Sequence, residues 1–552
     1  MTRFSTAAIL VLLCAAAAGP VRDVNAQAGS CLAATVSGDV QGVDRGASCA
    51  FLGVPFAAPP TGSLRWQRPQ PAQAWAPLTL NATVAPSSCA QLNLATGLPS
   101  GSENCLQLNV WTPNPLPASG ASVIVWFHPG SFVNANANFA PQNGEKLAAL
   151  TGAIVVAPNY RLGPFGYLRH AALAGEDSAA GNYGFLDQRA ALVWVRDHIA
   201  AFGGDPGKVT IAGQSAGGHS VSLHLVSPGS AGLFHRAIMQ SGYASYRWRT
   251  ATEAESQGDE LAATVACTES DAALQLACLR SKSRDQILLA DPPALFEQFS
   301  ETGRAQWTPV VDGSEIPDQP RLLYERGAFS HVPILLGATR DEGWTFVQRS
   351  FPAGLTTEQY EAAVDAEFGI DAPAILAKYP DGDFASPRDA LARMVGDVEY
   401  VCEARRVARL VERTRTPVFL YSFDYEVDPV VPDRVVHGLD VNFVFGNNFG
   451  PPLFVSYALN PTERALSHAI AGYWSRFAGT GDPNTDDPAV VHWPAFTRPS
   501  GAGRGVDKHL VVDVPIHEGQ RLREAQCDFW EPYFFRSASG SVPAGTPSPP
   551  FP

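Results

Sequence analysis

The β-branched run KVTIAG at 208–213 leads without a break into Gly213-Gln214-Ser215-Ala216-Gly217, and from there into HSVSLHLV, a segment suited to a helix. A chain that turns from strand to helix around one residue has few ways to do so. Gly213 and Gly217 omit side chains where strand and helix approach, so Ser215 can be held in a strained conformation with its hydroxyl exposed. This is the strand–turn–helix context of a nucleophile elbow, and the emerging helix N-terminus favours negative charge. The five-residue pattern alone arises by chance in a chain with 49 glycines. Its position between strand and helix gives it weight.

Short apolar runs recur on either side: VIVWF at 123–127, AIVVAP at 153–158, VPILLGA at 332–338 and PVFLYSF at 417–423. Helix-like stretches separate them, which predicts an α/β fold with a mostly parallel sheet and helices on both faces. In LDQRAALVWVRDHIAAFGGDP, Leu186, Ala190, Val193 and Ile199 are expected to share an apolar helix face ending at Gly203-Gly204. In ERALSHAIAGYWSRFAGTGDPN, Leu466, Ile470, Tyr473, Trp474 and Phe477 line one side of a second helix. With 45% hydrophobic residues the chain can bury a large core. Its net charge of -14 and lack of any Lys/Arg run give no electrostatic support for a nucleic-acid partner.

The N-terminus reads as an export signal spanning 1–26: Arg3, an apolar run from Ala7 to Ala18, then the small-residue cleavage site Val24-Asn25-Ala26. Twelve apolar residues are too few to cross about 30 Å of hydrocarbon, so no stable membrane anchor is expected. The mature protein is expected to be secreted or periplasmic, with one unit over 27–536. A Ser/Pro/Gly-rich disordered tail over 537–552 follows. Loss of Cys14 with the leader leaves eight of nine cysteines, an even number that suits an oxidising compartment and allows 105 pairings.

Upstream of the elbow, VIVWF leads to His128-Pro129-Gly130-Ser131-Phe132, where enzymes built this way carry the backbone donors of an oxyanion hole. Together with FLGVPFAAPPTGSLRW (51–66), SENCLQLNVWTP (102–113), NYRLGPFGYL (159–168), GNYGFLDQRAALVWV (181–195) and FGGDP (202–206), these residues resemble the type-B carboxylesterases. That group includes carboxylesterases, cholinesterases and some fungal lipases. The resemblance covers almost the whole chain and implies an α/β-hydrolase fold with large insertions, acting on small-molecule esters without a cofactor or metal.

The resemblance also supplies partners for Ser215. The family acid lies in a D-E-G motif, here Asp341-Glu342-Gly343, which makes Glu342 the expected acid. The family base precedes a glycine and an aromatic-V-F-G run, here His437-Gly438 and Phe443-Val444-Phe445-Gly446. From the residues alone, His437 ranks little above His224 or His468, and Glu342 no higher than other loop acids. By the same carry-over Gly130, Ser131 and Ala216 donate to the oxyanion, and Ser241 stands near the triad as a supporting hydroxyl. The implied disulfides are Cys89–Cys105, Cys267–Cys278 and Cys402–Cys527, leaving Cys31 with Cys49, while Arg65 and Glu103 form a structural ion pair.

Three departures from the family pattern bear on substrate. The oxyanion loop has Pro129, which lacks an N–H, and Ser131 where glycine or alanine is usual. Gln214 replaces a glutamate, removing a negative charge beside the nucleophile. The segment between Cys89 and Cys105 contains no tryptophan for a cation–π contact with choline. These features turn the expectation toward non-choline esters, with Gly303 and Ala305 leaving room on the acyl side. A lipase or polyester hydrolase of the same fold is the alternative, followed by a non-catalytic binding relative. Such relatives typically lose the serine that is present here.

Overall fold

The computed structural model describes residues 31–93, 96–243, 247–290, 307–450, 455–497 and 506–536. The leader at 1–26, the tail at 537–552, and Gly303 and Ala305 lie outside these. The apolar runs form part of an eleven-stranded sheet. In chain order its strands are Val43–Asp44 (β1), Ser48–Pro55 (β2), Gln107–Pro113 (β3), Ala121–Phe127 (β4), Ile154–Pro158 (β5) and Gly204–Gln214 (β6). Arg236–Gln240 (β7), Ile334–Thr339 (β8), Val418–Phe423 (β9), His509–Val512 (β10) and His517–Gly519 (β11) follow. Across the sheet the order is β11-β10-β9-β8-β7-β6-β4-β5-β3-β2-β1. Every pairing from β5 to β10 is parallel, and antiparallel strands flank that block at both ends.

Alternation along these strands feeds two cores. Val123, Val125, Ile211 and Leu336 enter one, whereas Ile124, Trp126, Ala212 and Leu335 enter the other. Burial on both faces explains why the strands read as continuous apolar runs. The helices that matter for the site are Tyr183–His198 (α1), Ala216–Val226 (α2), Trp344–Ser350 (α3), Pro387–Gly396 (α4) and Cys402–Glu412 (α5). Leu439–Phe445 (α6), Pro461–Thr480 (α7) and Glu524–Arg536 (α8) complete the set.

Helix α7 follows its sequence pattern: Leu466, Ile470, Tyr473, Trp474 and Phe477 are all buried in the second core. Asn460 and Glu463 form a reciprocal capping box at its start, and Gly481 ends it in the left-handed conformation. Helix α1 departs from the expected face. Leu186 and Ile199 are buried, but Ala190 and Val193 are only half-buried, and Ala191, Leu192, Trp194 and Val195 go deeper. The cause is a pair of polar residues inside the core. Asp187 takes a buried bidentate ion pair from Arg161 (2.7 Å to each oxygen), and Gln188 donates to Ser220 (2.9 Å). A side chain fully satisfied in this way can occupy a core position that a purely apolar pattern would leave out.

Four cysteine pairs stand at bonding distance: Cys31–Cys49 (1.99 Å), Cys89–Cys105 (2.02 Å), Cys267–Cys278 (2.01 Å) and Cys402–Cys527 (2.05 Å). The last ties the start of α5 to α8. Arg65 meets Glu103 through two hydrogen bonds of 2.6 and 2.7 Å, a bidentate pair in a half-buried setting.

Candidate active site

Strand β6 ends at Gln214 and α2 begins at Ala216, leaving Ser215 alone in the turn at φ 55°, ψ -126°. Such a backbone is costly for a residue with a Cβ. The turn is held by the Ser215 N–H, which donates to Gln240 O on β7 (2.9 Å). Close approach demands the flanking glycines: a Cβ on Gly217 would lie 2.0 Å from Phe127 O, and one on Gly213 would lie 2.4 Å from the Gly217 backbone. Ser215 itself is half-buried.

Glu342 lies in the turn after β8 and is fully buried. Its Oε1 accepts from the Thr339 N–H (2.6 Å) and from the Ser241 hydroxyl (2.5 Å), while its Oε2 meets His437 Nδ1. His437 reaches this position because the segment before it is clipped to the segment before Glu342. The Asp341 N–H donates to Val435 O (2.9 Å), and the Val435 N–H returns a bond to Asp341 Oδ2 (3.0 Å). Phe346 of α3 packs against the imidazole from one element. Tyr400 packs from the π-helical turn Asp397–Val401 that joins α4 to α5, with ring centroids 4.9 and 5.0 Å away respectively.

The second imidazole nitrogen is hydrogen-bonded to a residue other than Ser215. His437 Nε2 is hydrogen-bonded at 2.9 Å to the carboxamide of Gln214, which is buried at the end of β6. Deeper in, Asp440 on α6 accepts from Gln240 Nε2 and Tyr421 OH, both at 2.8 Å, and burial pushes its carboxyl pKa up.

At the end of β4 the chain makes the loop carrying Gly130 and Ser131. Gly130 sits at φ 118°, Ser131 at 52° and Phe132 at 60°. A Cβ on Gly130 would come within 2.2 Å of Asn134 O. His128 anchors the loop: its ring stacks on Tyr160 (4.2 Å), its Nδ1–H donates to Pro129 O (2.8 Å), and its carbonyl accepts from Tyr160 OH (2.8 Å). Burial lowers its pKa to about 4, so it is neutral at physiological pH. Among the described residues, the N–H groups of Gly130, Ser131 and Ala216 donate to no protein acceptor.

The structure thus brings Glu342 together with His437 and Ser241, and sets Gln214 against the imidazole. Sequence reading missed the Asp341 clip, although Asp341 stands in the D-E-G motif, and it missed Phe346 and Tyr400, which no local pattern marks. A cavity of about 230 Å³ touches Glu342 from another side, among Arg340, Trp344, Asp389, Arg393 and Arg434, but is lined by neither Ser215 nor His437.

A mixed sheet with a serine elbow between strand and helix, and a buried carboxylate–imidazole pair at neighbouring strand ends, defines an α/β-hydrolase. Residues 28–530 match the model of the Carboxylesterase family. The chain is also 32% identical over 542 residues to an acetylcholinesterase of Bungarus fasciatus, covering 91% of this chain and 86% of that one. The protein belongs to the carboxylesterase family and is a carboxylic ester hydrolase.

Proposed function

We propose that Ser215, His437 and Glu342 are the nucleophile, base and acid of an exported esterase acting on small, non-choline esters. The observation that carries this reading is the pair formed by His437 Nδ1 and Glu342 Oε2, together with a half-buried Ser215 at a strained elbow. A serine hydroxyl is a weak nucleophile at neutral pH. His437 Nε2 takes its proton as Oγ bonds to the ester carbonyl carbon, and Glu342 stabilises the imidazolium. The N–H groups of Gly130, Ser131 and Ala216 receive the negative carbonyl oxygen. Collapse of the tetrahedral adduct breaks the bond to the alcohol, which leaves with the proton from His437. Water then enters by the same steps in reverse order and frees the acid.

The non-choline preference rests on the neutral Gln214 beside the nucleophile and on the segment between Cys89 and Cys105, which contains no tryptophan. Residues 27–536 are taken as one hydrolase unit released after removal of the leader, in keeping with four disulfides. A panel of p-nitrophenyl and choline esters assayed with the wild type and Ser215→Ala tests the proposal. Turnover of the p-nitrophenyl esters by the wild type alone, above that of choline esters, is the expected result. Equal turnover by Ser215→Ala removes the nucleophile assignment.

A further inference from the structure

A neutral imidazole has one lone pair. With Nδ1–H committed to Glu342, that lone pair is on Nε2, where it must receive the Ser215 proton. Here it accepts instead from Gln214 Nε2 at 2.9 Å. The fold supports this contact from both ends. Gln214 is the last residue of β6, its backbone paired with Gln240 on β7, while the residue before it, Gly213, pairs with Phe127 on β4. On the other side the carboxamide packs at ordinary contact distance against Gly438, the residue after His437: a Cβ placed there would lie 3.5 Å from both of its heteroatoms. The imidazole cannot swing away freely, because Phe346 and Tyr400 pack against it.

We infer that Gln214 is a positioning residue that latches His437 in the resting enzyme, holding the base's reactive lone pair until substrate entry transfers it to Ser215. The inference rests on the triad reading above and adds a step to it. Before attack, the Gln214 hydrogen bond must break and the Ser215 hydroxyl must take its place. The latch favours the neutral imidazole, because an N–H donor facing Nε2 repels a proton there. A carboxylate at the same position would do the opposite, accepting from Nε2–H and favouring the imidazolium. Among the described residues, Glu342 bonds this imidazole and Tyr400 packs against it, while Asp440 on α6 and His219 on α2 couple to it electrostatically from further away.

The test compares the pH profiles of kcat/KM for wild type, Gln214→Met and Gln214→Glu on a neutral p-nitrophenyl ester, with near-ultraviolet circular dichroism to establish folding. Removing the donor in Gln214→Met should move the acid-limb midpoint up by about half a unit to one unit, and Gln214→Glu should move it further. At plateau pH, labelling of Gln214→Met by an organophosphonate should run about two- to tenfold faster than wild type, since one hydrogen bond need no longer be broken. A side chain that merely fills space would lower rates without moving the midpoint. Unmoved midpoints in both variants, with no faster labelling, overturn the latch. Ser215→Ala, run alongside, separates the two claims: its full activity would sink the triad itself, whereas an inactive Ser215→Ala with unmoved Gln214 midpoints sinks the latch alone.

Discussion

The Ser241 hydroxyl lies 2.5 Å from Glu342 Oε1, on the carboxylate oxygen that His437 does not use. Two donors on Oε1 fix the plane of the carboxylate, so Oε2 presents itself to the imidazole in one orientation. Ser241→Ala should therefore lower kcat by about ten- to hundredfold with KM little changed, the loss expected for one hydrogen bond to a charged group. Steady-state kinetics on a saturating ester measure the split. A change confined to KM would contradict the positioning role.

Gly130, in the loop proposed to hold the oxyanion, sits at φ 118°, and a Cβ there would meet Asn134 O at 2.2 Å. Gly130→Ala should reduce kcat by about 10²- to 10³-fold, because the loop must move and with it the backbone donors. Gly152→Ala is the control: φ is 75° and nothing lies within 4 Å of the added carbon. That variant should lose about 1 kcal/mol of stability and keep its activity. Comparing Tm with kcat for the two proteins distinguishes lost geometry from lost stability.

Three buried histidines contribute to the acid sensitivity of the fold. Burial lowers the pKa of His128 to about 4, and of His219 and His224 to about 3. Each therefore binds its proton more readily unfolded than folded. The stability each contributes is fully present above pH about 6.5 and is lost as pH falls toward the folded value. His224 lies between Phe127 and Phe185 and bonds Ser230 (2.8 Å), away from the reacting groups. His224→Gln should flatten the decline of the urea midpoint between pH 6.5 and 4, even though it lowers the midpoint at pH 7.5. An unchanged slope would refute the assignment.

The Cys402–Cys527 bridge closes a loop of 125 residues and sits beside the buried ring of Trp530. On a chain-entropy model a loop of this size contributes about 4–5 kcal/mol. Replacing both cysteines by serine should lower the urea midpoint accordingly. The same double replacement at Cys267 and Cys278, whose loop is 11 residues, should cost less.

The elbow was legible because everything it needs is local: one strand, two glycines and a helix within about twenty residues. The parallel strands were legible for the same reason, since burial on both faces leaves continuous apolar runs. His437 and Glu342 were different. They are 95 residues apart, and the clip that joins them is one backbone bond and one bond from the Val435 N–H to the Asp341 carboxylate, a pairing across the chain that no local pattern records. The residues alone put His437 little above His224 or His468 and Glu342 no higher than other loop acids, and a motif shared with relatives was needed to single them out. The α1 face was misread because Asp187 and Gln188 are polar by type yet satisfied by Arg161 and Ser220 from other elements. The direction of the Gln214 carboxamide was likewise hidden, since its partner is 223 residues away.

Ser215, Glu342 and His437 follow β6, β8 and β9, and the sheet between them is built from chain on both sides of each. None of the three can be brought near the others until those strands have docked in register. Ester cleavage is thus a clock for the last event of assembly. During refolding, helical signal can return early from local segments, but turnover will begin only when the slowest long-range pairing is complete, so an intermediate that looks nearly native by its backbone will still be chemically silent.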